Sequence, residues 1–386
     1  MADSYPMSDN QKTYRIFLSA AEPSADSHCA ALINSLKQST YNIEFSGVGG
    51  RKMADAGCKL LQNTSDSAAM IHNAFAQVGR FYFLLRRINS YLQRTKPNLV
   101  IVCDSPAFNF HVAKAAKKHG SRTLFYVAPQ LWAWAPWRIK KLHKYCDKLC
   151  CILPLEQNWF SEKGVDTTFV GNPLLDSLGP DLDANIKPYR DFNPENAHLA
   201  LMPGSRLAEI DTLWKPMQEI AVNLRRRYPK MKITTVAVDD NKQLLLKARQ
   251  IMGLRSDYSL GSVHETARQS DLALVASGSA TLQVAAAGCP MIVMYQSSRL
   301  LWHLVGRWLI NIKHLSLPNI LADRHLVPEF MPYFTSTHPI LAAADCLLKD
   351  PAQLAGISRQ LIALTKPLAA GNTAENVAQI ACQMLD

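Results

Sequence analysis

The sequence has little of what marks secreted, membrane-spanning or zinc-binding proteins. Its nine cysteines form no C-x-x-C pair and no Cys/His cluster with zinc-like spacing, which indicates reduced cytosolic thiols. No segment reaches the roughly 18 consecutive apolar residues of a membrane span, and residues Met1–Lys12 contain no apolar signal region. We therefore expect a cytoplasmic protein whose contact with a membrane would be peripheral.

Acidic residues are fewer than basic ones, and two common nucleotide-binding motifs are missing. The 386 residues include 42 Lys and Arg against 31 Asp and Glu, a net charge of +11. Such a balance suits nucleic acid, anionic lipid or phosphorylated ligands, but the basic residues are spread along the chain, which disfavours nucleic acid. Neither G-x-G-x-x-G nor a Walker A sequence is present, which argues against NAD and ATP.

Apolar runs of strand length alternate with helical patterns, which predicts an α/β protein with parallel sheets covered on both faces. The length favours two or three domains, and a polar, Pro-rich stretch from Asp176 to Asn196 separates two halves. We predict two Rossmann-like, doubly wound domains, 1–180 and 197–365, with a linker at 181–196 and ligands beyond the carboxyl ends of the strands, in a cleft between the domains. The predicted strands are Tyr14–Ser19, Ile43–Val48, Leu99–Asp104, Thr123–Val127, Lys148–Leu153, Thr167–Val170, Leu199–Met202, Lys232–Val238, Leu272–Val275 and Pro290–Tyr295.

Two turns in the second half combine a strand end, small residues and a helix start, which suits a phosphate group. One is Pro203-Gly204-Ser205-Arg206, where the arginine could make a bidentate phosphate contact. The other spans Ala276 to Gln283; its Ser-Gly-Ser could alternatively do no more than cap a helix. Two such turns in one domain favour a nucleotide sugar. The candidate ligand residues are Ser205, Arg206, Ser277, Gly278, Ser279, Thr281 and Gln283.

Polar side chains also follow two strands of the first half. Glu22, Ser24 and Asp26 come after the first strand and, with His28, could act on a substrate, although Ser24 or Asp26 could instead cap the next helix. Asp104 follows a buried strand and is a candidate general base for a hydroxyl nucleophile. Its alternative role is to cap the next helix, with Ser105 and Asn109 as rivals for that position.

Two further polar or aromatic blocks are candidates for the same ligand. Trp132 and Trp134 follow a strand and could stack on a sugar, although tryptophans pack in cores or interfaces more often. Asn319 and Glu329 flank an irregular stretch near the end of the second half and could reach the ligand.

Two amphipathic, basic segments fit helices that lie in a membrane interface. Arg80–Lys96 carries apolar residues at helical spacing among four basic ones, and Arg299–Lys313 has the same character. The alternative is that each apolar stripe packs on a sheet while the arginines stay in water.

Taken in order, these blocks resemble the lipid-A-disaccharide synthase family, which has the GT-B architecture and is classed as glycosyltransferase family 19. The resemblance runs from about Tyr14 to about Ala381. It rests on the order and spacing of the following motifs: Ala-Ala-Glu-Pro-Ser-Ala-Asp at 20–26, Gly47-Val48-Gly49-Gly50, Asp104-Ser105-Pro106-Ala107-Phe108-Asn109, Trp132-Ala133-Trp134, Leu153-Pro154-Leu155-Glu156, Val170-Gly171-Asn172-Pro173, Pro203-Gly204-Ser205-Arg206, Ala276–Leu282 and Leu315–Asn319.

The resemblance implies an inverting transfer of 2,3-diacylglucosamine from its UDP conjugate to 2,3-diacylglucosamine 1-phosphate, which yields a β-1,6-linked disaccharide 1-phosphate and UDP. It implies Asp104 as the essential carboxylate, Arg206 and Asn319 on the UDP side, and the turn at Ser277–Thr281 facing the diphosphate. It also implies no metal or other cofactor, a site at the cytoplasmic face of the inner membrane, and residues 366–386 crossing back to the first domain; a homodimer stays open.

Some positions depart from the family pattern. Ala21 and Ala25 replace glycines of the first loop, Ala107 replaces an aspartate, and Gln283 replaces the glutamate expected to hold the ribose. Two alternatives therefore stay open. One is an enzyme similar to UDP-sugar 2-epimerases on the same fold, and the other is a non-catalytic relative that binds UDP-sugar lipids.

Overall fold

The computed structural model describes residues 12–63, 74–179, 181–298, 312–369 and 371–386. It divides the chain into two compact units. The first ends at Pro173 and also includes Asn372–Asp386, and the second is Leu174–Gly371. The segment from 181 to 196 therefore belongs to the second unit, where Tyr189 is buried in the core.

The first unit is a parallel sheet between two layers of helices. The sheet has seven strands in the order β3-β2-β1-β4-β5-β6-β7. The strands are β1 (Thr13–Ala20), β2 (Asn42–Gly49), β3 (Lys59–Asn63), β4 (Leu99–Cys103), β5 (Arg122–Tyr126), β6 (Lys148–Cys151) and β7 (Thr167–Phe169). The described helices are α1 (Pro23–Leu36), α2 (Arg51–Asp55), α3 (Ala74–Thr95), α4 (Pro106–Lys118), α5 (Ile139–Tyr145) and α6 (Pro154–Ser161).

The second unit repeats the plan with six parallel strands in the order β10-β9-β8-β11-β12-β13. These are β8 (His198–Met202), β9 (Lys232–Ala237), β10 (Asp257–Leu260), β11 (Leu272–Ala276), β12 (Met291–Met294) and β13 (Glu329–Phe330). The described helices are α7 (Leu207–Arg227), α8 (Asp240–Ala248), α9 (Val263–Gln269), α10 (Ala280–Ala286), α11 (Leu317–Ala322), α12 (His338–Leu348) and α13 (Pro351–Thr365).

The last helix, α14 (Thr373–Gln383), packs in the first unit although it follows the second in sequence. Val377, Ala378 and Ala381 join the same hydrophobic core as Leu32 and Ile33 of α1. Burying these apolar side chains ties the end of the chain to the first unit.

The alternation of apolar runs predicted the parallel α/β architecture correctly, and the ten predicted strands are all present. Their ends shift by up to two residues. Three strands were not predicted: β3, β10 and β13. Each lies at the edge of its sheet, where one side needs no strand partner and a polar sequence such as that of β10 is tolerated.

Of the two amphipathic segments predicted to be helices, the structure describes the first and only the end of the second. Helix α3 begins at Ala74, six residues before the predicted start at Arg80, and ends at Thr95. Residues 299–311 of the segment Arg299–Lys313 lie outside the described residues. Among the helices that the structure describes, none has both the length and the apolar character that crossing a bilayer requires.

Candidate functional site

Each sheet reverses its strand order once, and many of the predicted site residues lie in the loops at these two positions, whereas Trp132, Trp134, Asn319 and Glu329 lie elsewhere. In the first unit β1 lies next to both β2 and β4, and in the second unit β8 lies next to both β9 and β11. Ligands of doubly wound sheets bind beyond the carboxyl ends of the strands at such a switch point. The loops after β1 and β4, and those after β8 and β11, are therefore the candidate ligand loops.

In the first unit a side-chain hydrogen bond joins the two loops. The Ser105 hydroxyl donates to Glu22 Oε1 at 3.0 Å, which links the residue after Asp104 to the residue that precedes α1. Glu22 and Ser24 are exposed, and Asp104 and Ser105 are partly exposed. These polar groups can reach a ligand at the edge of the sheet.

The backbone at Asp104 is held in an uncommon conformation. Asp104 and Ser105 have φ angles of +54° and +43°, and Val127, after the adjacent strand β5, has +67°. A left-handed conformation is costly for residues other than glycine, above all for a β-branched one. Such backbone strain of about 1–3 kcal/mol per residue clusters at functional sites. It therefore supports a role for Asp104 beyond capping α4.

The side chain of Asn109 holds the backbone at Asp104 in its left-handed conformation. It is fully buried, and its Nδ2 donates to the carbonyl oxygens of Cys103 at 2.9 Å and Asp104 at 2.6 Å. Its Oδ1 accepts the Ser19 hydroxyl at 2.7 Å. The prediction that Asn109 binds substrate is thus replaced by a positioning role, since its amide faces protein atoms and not solvent.

Asp26 also faces inward. Its carboxylate, 5% exposed, accepts the N–H groups of Gly50, Lys52 and Met53 at 2.7, 3.1 and 3.1 Å. Asp26 therefore caps the start of α2 and not α1, the helix to which it belongs. Ala25 is fully buried in the core beside it, so the methyl group at this departure from the family pattern packs inside the protein.

His28 stays neutral at physiological pH. Burial and the nearby Lys52 charge lower the pKa of His28 to about 4, and its ring lies 6.1 Å from that of Tyr126. A buried, neutral imidazole is not available as a proton donor near pH 7.

We expect His28→Gln to make stability less sensitive to acid. Between pH 6.5 and about 4 the unfolded chain binds a proton at His28 and the folded chain does not. The free energy of unfolding therefore falls as pH drops through this window, by up to about 3 kcal/mol. Urea unfolding at pH 7 and pH 4.5 checks this, with the exposed His338→Gln as control. An unchanged difference between the two pH values in His28→Gln would contradict it.

The two tryptophans named as candidates have different environments. Trp132 is 7% exposed, and its Nε1–H donates to Glu156 Oε1 at 3.1 Å. Burial raises the pKa of Glu156 to about 7. The N–H groups of Trp132, Leu153 and Ile152 favour the charged form and offset only part of this increase. Trp134 is partly exposed, and the Arg138 guanidinium lies 4.9 Å from its ring centroid. Of these two tryptophans, Trp134 is the one whose ring is exposed enough to stack on a sugar.

In the second unit, the side chain of Glu209, which the sequence analysis did not single out, lies at the Pro203–Arg206 turn that was predicted to bind phosphate. The Glu209 carboxylate accepts the N–H groups of Ser205 and Arg206 at 2.9 and 3.1 Å, and it bonds Arg206 Nη1 at 3.2 Å. A Cβ on Gly204, whose φ is +103°, would lie 2.3 Å from Glu209 Oε2. The N–H groups expected to face a phosphate are therefore engaged. The Arg206 side chain, 75% exposed, is the remaining cationic group of this turn.

The second turn, after β11, is more open. Gly278 and Ser279 are exposed, and among the residues that the structure describes none beyond its two chain neighbours has an atom within 4 Å of a Cβ built on Gly278. Thr281 is fully buried, and its hydroxyl donates to the Gly278 carbonyl at 2.7 Å. Thr281 therefore shapes the turn, whereas Ser277, Ser279 and Gln283 keep partial exposure and could contact a ligand.

Asn319 and Glu329 form the centre of a buried network. Asn319 is fully buried: its Nδ2 donates to Val327 O at 2.9 Å and Glu329 Oε2 at 3.0 Å, and its Oδ1 accepts the N–H groups of Leu326 and Val327. Partial burial opposes ionisation of Glu329, but hydrogen bonds from Ser316, Asn319 and Leu315 outweigh it and hold its pKa below the usual value. Asn319 therefore holds the loop together with its buried amide, whereas Glu329 is half-buried and its Oε1 accepts the Leu315 N–H at 3.2 Å.

Replacing Asn319 with alanine should strongly destabilise the second unit. The change removes the hydrogen bonds of three buried backbone groups, the Leu326 N–H, the Val327 N–H and the Val327 carbonyl, and each such group left unpaired costs about 1–3 kcal/mol. We expect a loss of at least about 3 kcal/mol of unfolding free energy, measured by chemical denaturation. Asn223→Ala, which removes one bond to the Glu219 carbonyl on α7, is the matched control. Equal stability of the two variants would rule out the proposed network.

Sequence reasoning missed several residues that shape the candidate site. Glu209 stands three residues after Arg206, a spacing typical of a capping box, so that signal was present in the sequence. The left-handed Val127 and the inward orientation of Asn109 carried no local signal, because both depend on neighbouring strands.

Comparisons with known proteins agree on a family and a fold. A family model described as lipid-A-disaccharide synthetase matches residues 16–381. The lipid-A-disaccharide synthase of Geobacter sulfurreducens is 31% identical over 383 residues, which cover 97% of this chain and 98% of that protein. A putative UDP-N-acetylglucosamine 2-epimerase from Listeria monocytogenes shares 14% identity and a TM-score of 0.60, with 94% of each chain covered. MurG from Acinetobacter baumannii shares 14% identity and a TM-score of 0.59, with 96% of this chain and 99% of that chain covered. The two structural matches show a common fold alone.

Proposed function

Since the chain belongs to the lipid-A-disaccharide synthetase family, we propose that it moves 2,3-diacylglucosamine from UDP-2,3-diacylglucosamine to 2,3-diacylglucosamine 1-phosphate. The enzyme is a glycosyltransferase with two Rossmann-like units. The observation that carries the residue assignment is the strained backbone at Asp104, which lies at the switch point of the first sheet.

In the first unit, Asp104 acts as the general base. Its carboxylate takes the proton of the acceptor 6-hydroxyl as that oxygen attacks C1 of the donor sugar. The new C1–O bond forms on the face opposite the breaking bond to UDP, so the configuration at C1 inverts. Asn109 keeps the Asp104 peptide in place through its bonds to Cys103 O and Asp104 O. Ser105 and Glu22 contribute polar groups to the same edge.

In the second unit, the leaving diphosphate develops negative charge as the C1–O bond to UDP breaks. The exposed Arg206 guanidinium supplies a fixed cation for it. The exposed turn at Gly278 and Ser279 admits the phosphates closely, because within the described ranges no atom beyond its chain neighbours lies within 4 Å of a Cβ built on Gly278. Gln283, where the family has a glutamate, retains an amide oxygen that can accept a ribose hydroxyl.

The decisive experiment is product formation in detergent micelles from purified protein and both substrates. The proposal requires a disaccharide 1-phosphate together with one equivalent of UDP. An epimerase would instead exchange the C2 proton of a UDP-sugar in D₂O without any acceptor. Binding of UDP with neither reaction would identify a non-catalytic relative.

We also propose that α3 carries the protein to a membrane surface, where both lipid substrates reside. In its second half Ile88 and Leu92 are fully buried, so this part packs on the first unit. Earlier in the helix, Tyr82 and Phe83 are 60% and 69% exposed, and the following Arg86 and Arg87 are also exposed. Exposed aromatics beside cations suit an anionic lipid interface. This surface on α3 is separate from the residues proposed to carry out the transfer.

Removing the two exposed aromatics should weaken membrane binding and leave folding intact. We expect Tyr82→Ser combined with Phe83→Ser to lower the affinity for phosphatidylglycerol vesicles by about tenfold, because two apolar groups no longer enter the interface. Vesicle co-sedimentation measures this. The control is Leu244→Ser, which changes a side chain that is 64% exposed in the second unit. Equal binding of the control and the double variant would rule out this surface.

A further inference from the structure

Three side chains of the kinds that bind metals lie close together in the second unit, and the proposed transfer reaction uses none of them. One donor atom from each of His314, His325 and Glu329 lies within 4.8 Å of the other two. The two imidazole rings are perpendicular, with centroids 4.6 Å apart. Two imidazoles and one carboxylate form a ligand set that zinc commonly takes, with a water as the fourth ligand.

His314 has an unexplained polar atom at this position. Its Nδ1 is buried, and within the part of the chain that the structure describes it has no hydrogen-bond partner. A buried nitrogen without a partner costs free energy. A cation that takes this nitrogen as a ligand would supply the missing partner.

The surrounding hydrogen bonds fix one of the three ligands, the Glu329 carboxylate, and leave the exposed His325 adjustable. Glu329 accepts the N–H groups of Leu315 and Ser316 and the Ser316 hydroxyl, so its carboxylate is held in one place beside the residue that follows His314. His325 is exposed and free to approach. Tetrahedral zinc needs donor atoms about 3.3–3.5 Å apart, from bonds of about 2.0–2.1 Å, so the three donors, which lie within 4.8 Å of one another, would move closer together on binding.

We propose that His314, His325 and Glu329 form a binding site for a divalent transition-metal ion, with zinc as the best fit. The ion would join the segment that precedes α11 to the strand β13, and so fix the loop that Asn319 organises. The site is structural or regulatory: no step of the glycosyl transfer passes through it.

The test is metal binding to the full chain in a Cys346→Ser background, since Cys346 is an exposed thiol that could bind metal by itself. Equilibrium dialysis with Zn²⁺ should give one ion per chain, and Co²⁺ should give the visible absorption of a tetrahedral complex. We expect His325→Ala, at an exposed position, to weaken binding by about 100-fold or more, and His314→Ala to do the same. His338→Ala, which changes an exposed histidine elsewhere in the unit, should bind as tightly as the parent.

Two results would overturn the proposal. One is the absence of stoichiometric Zn²⁺ binding in a parent protein whose circular dichroism shows it to be folded. The other is binding that survives His325→Ala, because the ion would then have other ligands. His325 is exposed and contacts the ring of His314, so its replacement should not unfold the protein and obscure the effect.

Discussion

The substitution Asp104→Asn is expected to reduce the rate of disaccharide formation by about 10²–10⁴-fold, the usual contribution of a general base. The asparagine side chain has nearly the same shape as aspartate but cannot accept the acceptor's proton. Asparagine also tolerates a left-handed backbone, so the φ of +54° at this position is preserved. The measurement is the initial rate of product formation at saturating substrates, together with UDP affinity, which should stay unchanged.

The matched control for this variant is Asp191→Asn. Asp191 is an exposed aspartate with a φ of +55°. The nearby Tyr189 bonds the carbonyl of Asp271, directly before β11 begins, so the same change in charge and backbone strain occurs near the amino end of that strand and not at the ligand loop after it. Full activity in the control and a large loss at position 104 would support the base. If Asp104→Asn retained more than about a tenth of the rate, a loss far below that of a general base, the residue would only orient the acceptor.

Removing the Arg206 side chain should have the second largest effect. We expect Arg206→Ala to lower kcat by about 10²–10³-fold, as for other groups that stabilise charge in the transition state. Arg206→Lys should recover part of this, because an ammonium supplies the charge but not the planar pair of donors. Steady-state kinetics with the UDP donor varied will show whether the loss falls on kcat, as transition-state stabilisation requires, or only on KM.

The comparison variant is Arg249→Ala, which removes a half-exposed arginine of the same unit that pairs with Asp211. It loses the same charge and a similar surface ion pair, which contributes little to stability. A similar fall in kcat for both variants would point to the net charge of the unit and not to a specific contact by Arg206.

The candidate site could be predicted from the sequence only in part. The turns after β1, β4, β8 and β11 were found because small and polar residues follow apolar strands, and parallel strands bring their carboxyl ends to one edge. Within those turns, residue type did not tell which side chains face a ligand. Asp104 and Arg206 are at least partly exposed, whereas Asn109 and Asn319 are fully buried.

The reason is that an amide's environment depends on distant backbone. Asn109 is held by Ser19, 90 residues earlier in the chain, and Asn319 caps N–H groups of a loop that folds back on it. No local pattern distinguishes such an asparagine from one that binds a ligand, because both follow a strand or begin a helix. Glu209 is different, since its spacing from Arg206 is a local capping signal.

The sequence by itself determined the α/β class, the two sheets and the family, because hydrophobic periodicity and motif order are properties of the chain read in one dimension. Only the tertiary structure decided which polar groups are available. It placed Glu209 over the first turn, turned Asn319 inward, and brought His314, His325 and Glu329 together. Availability of a polar group depends on which partners surround it in space, and those partners come from elements far apart in sequence.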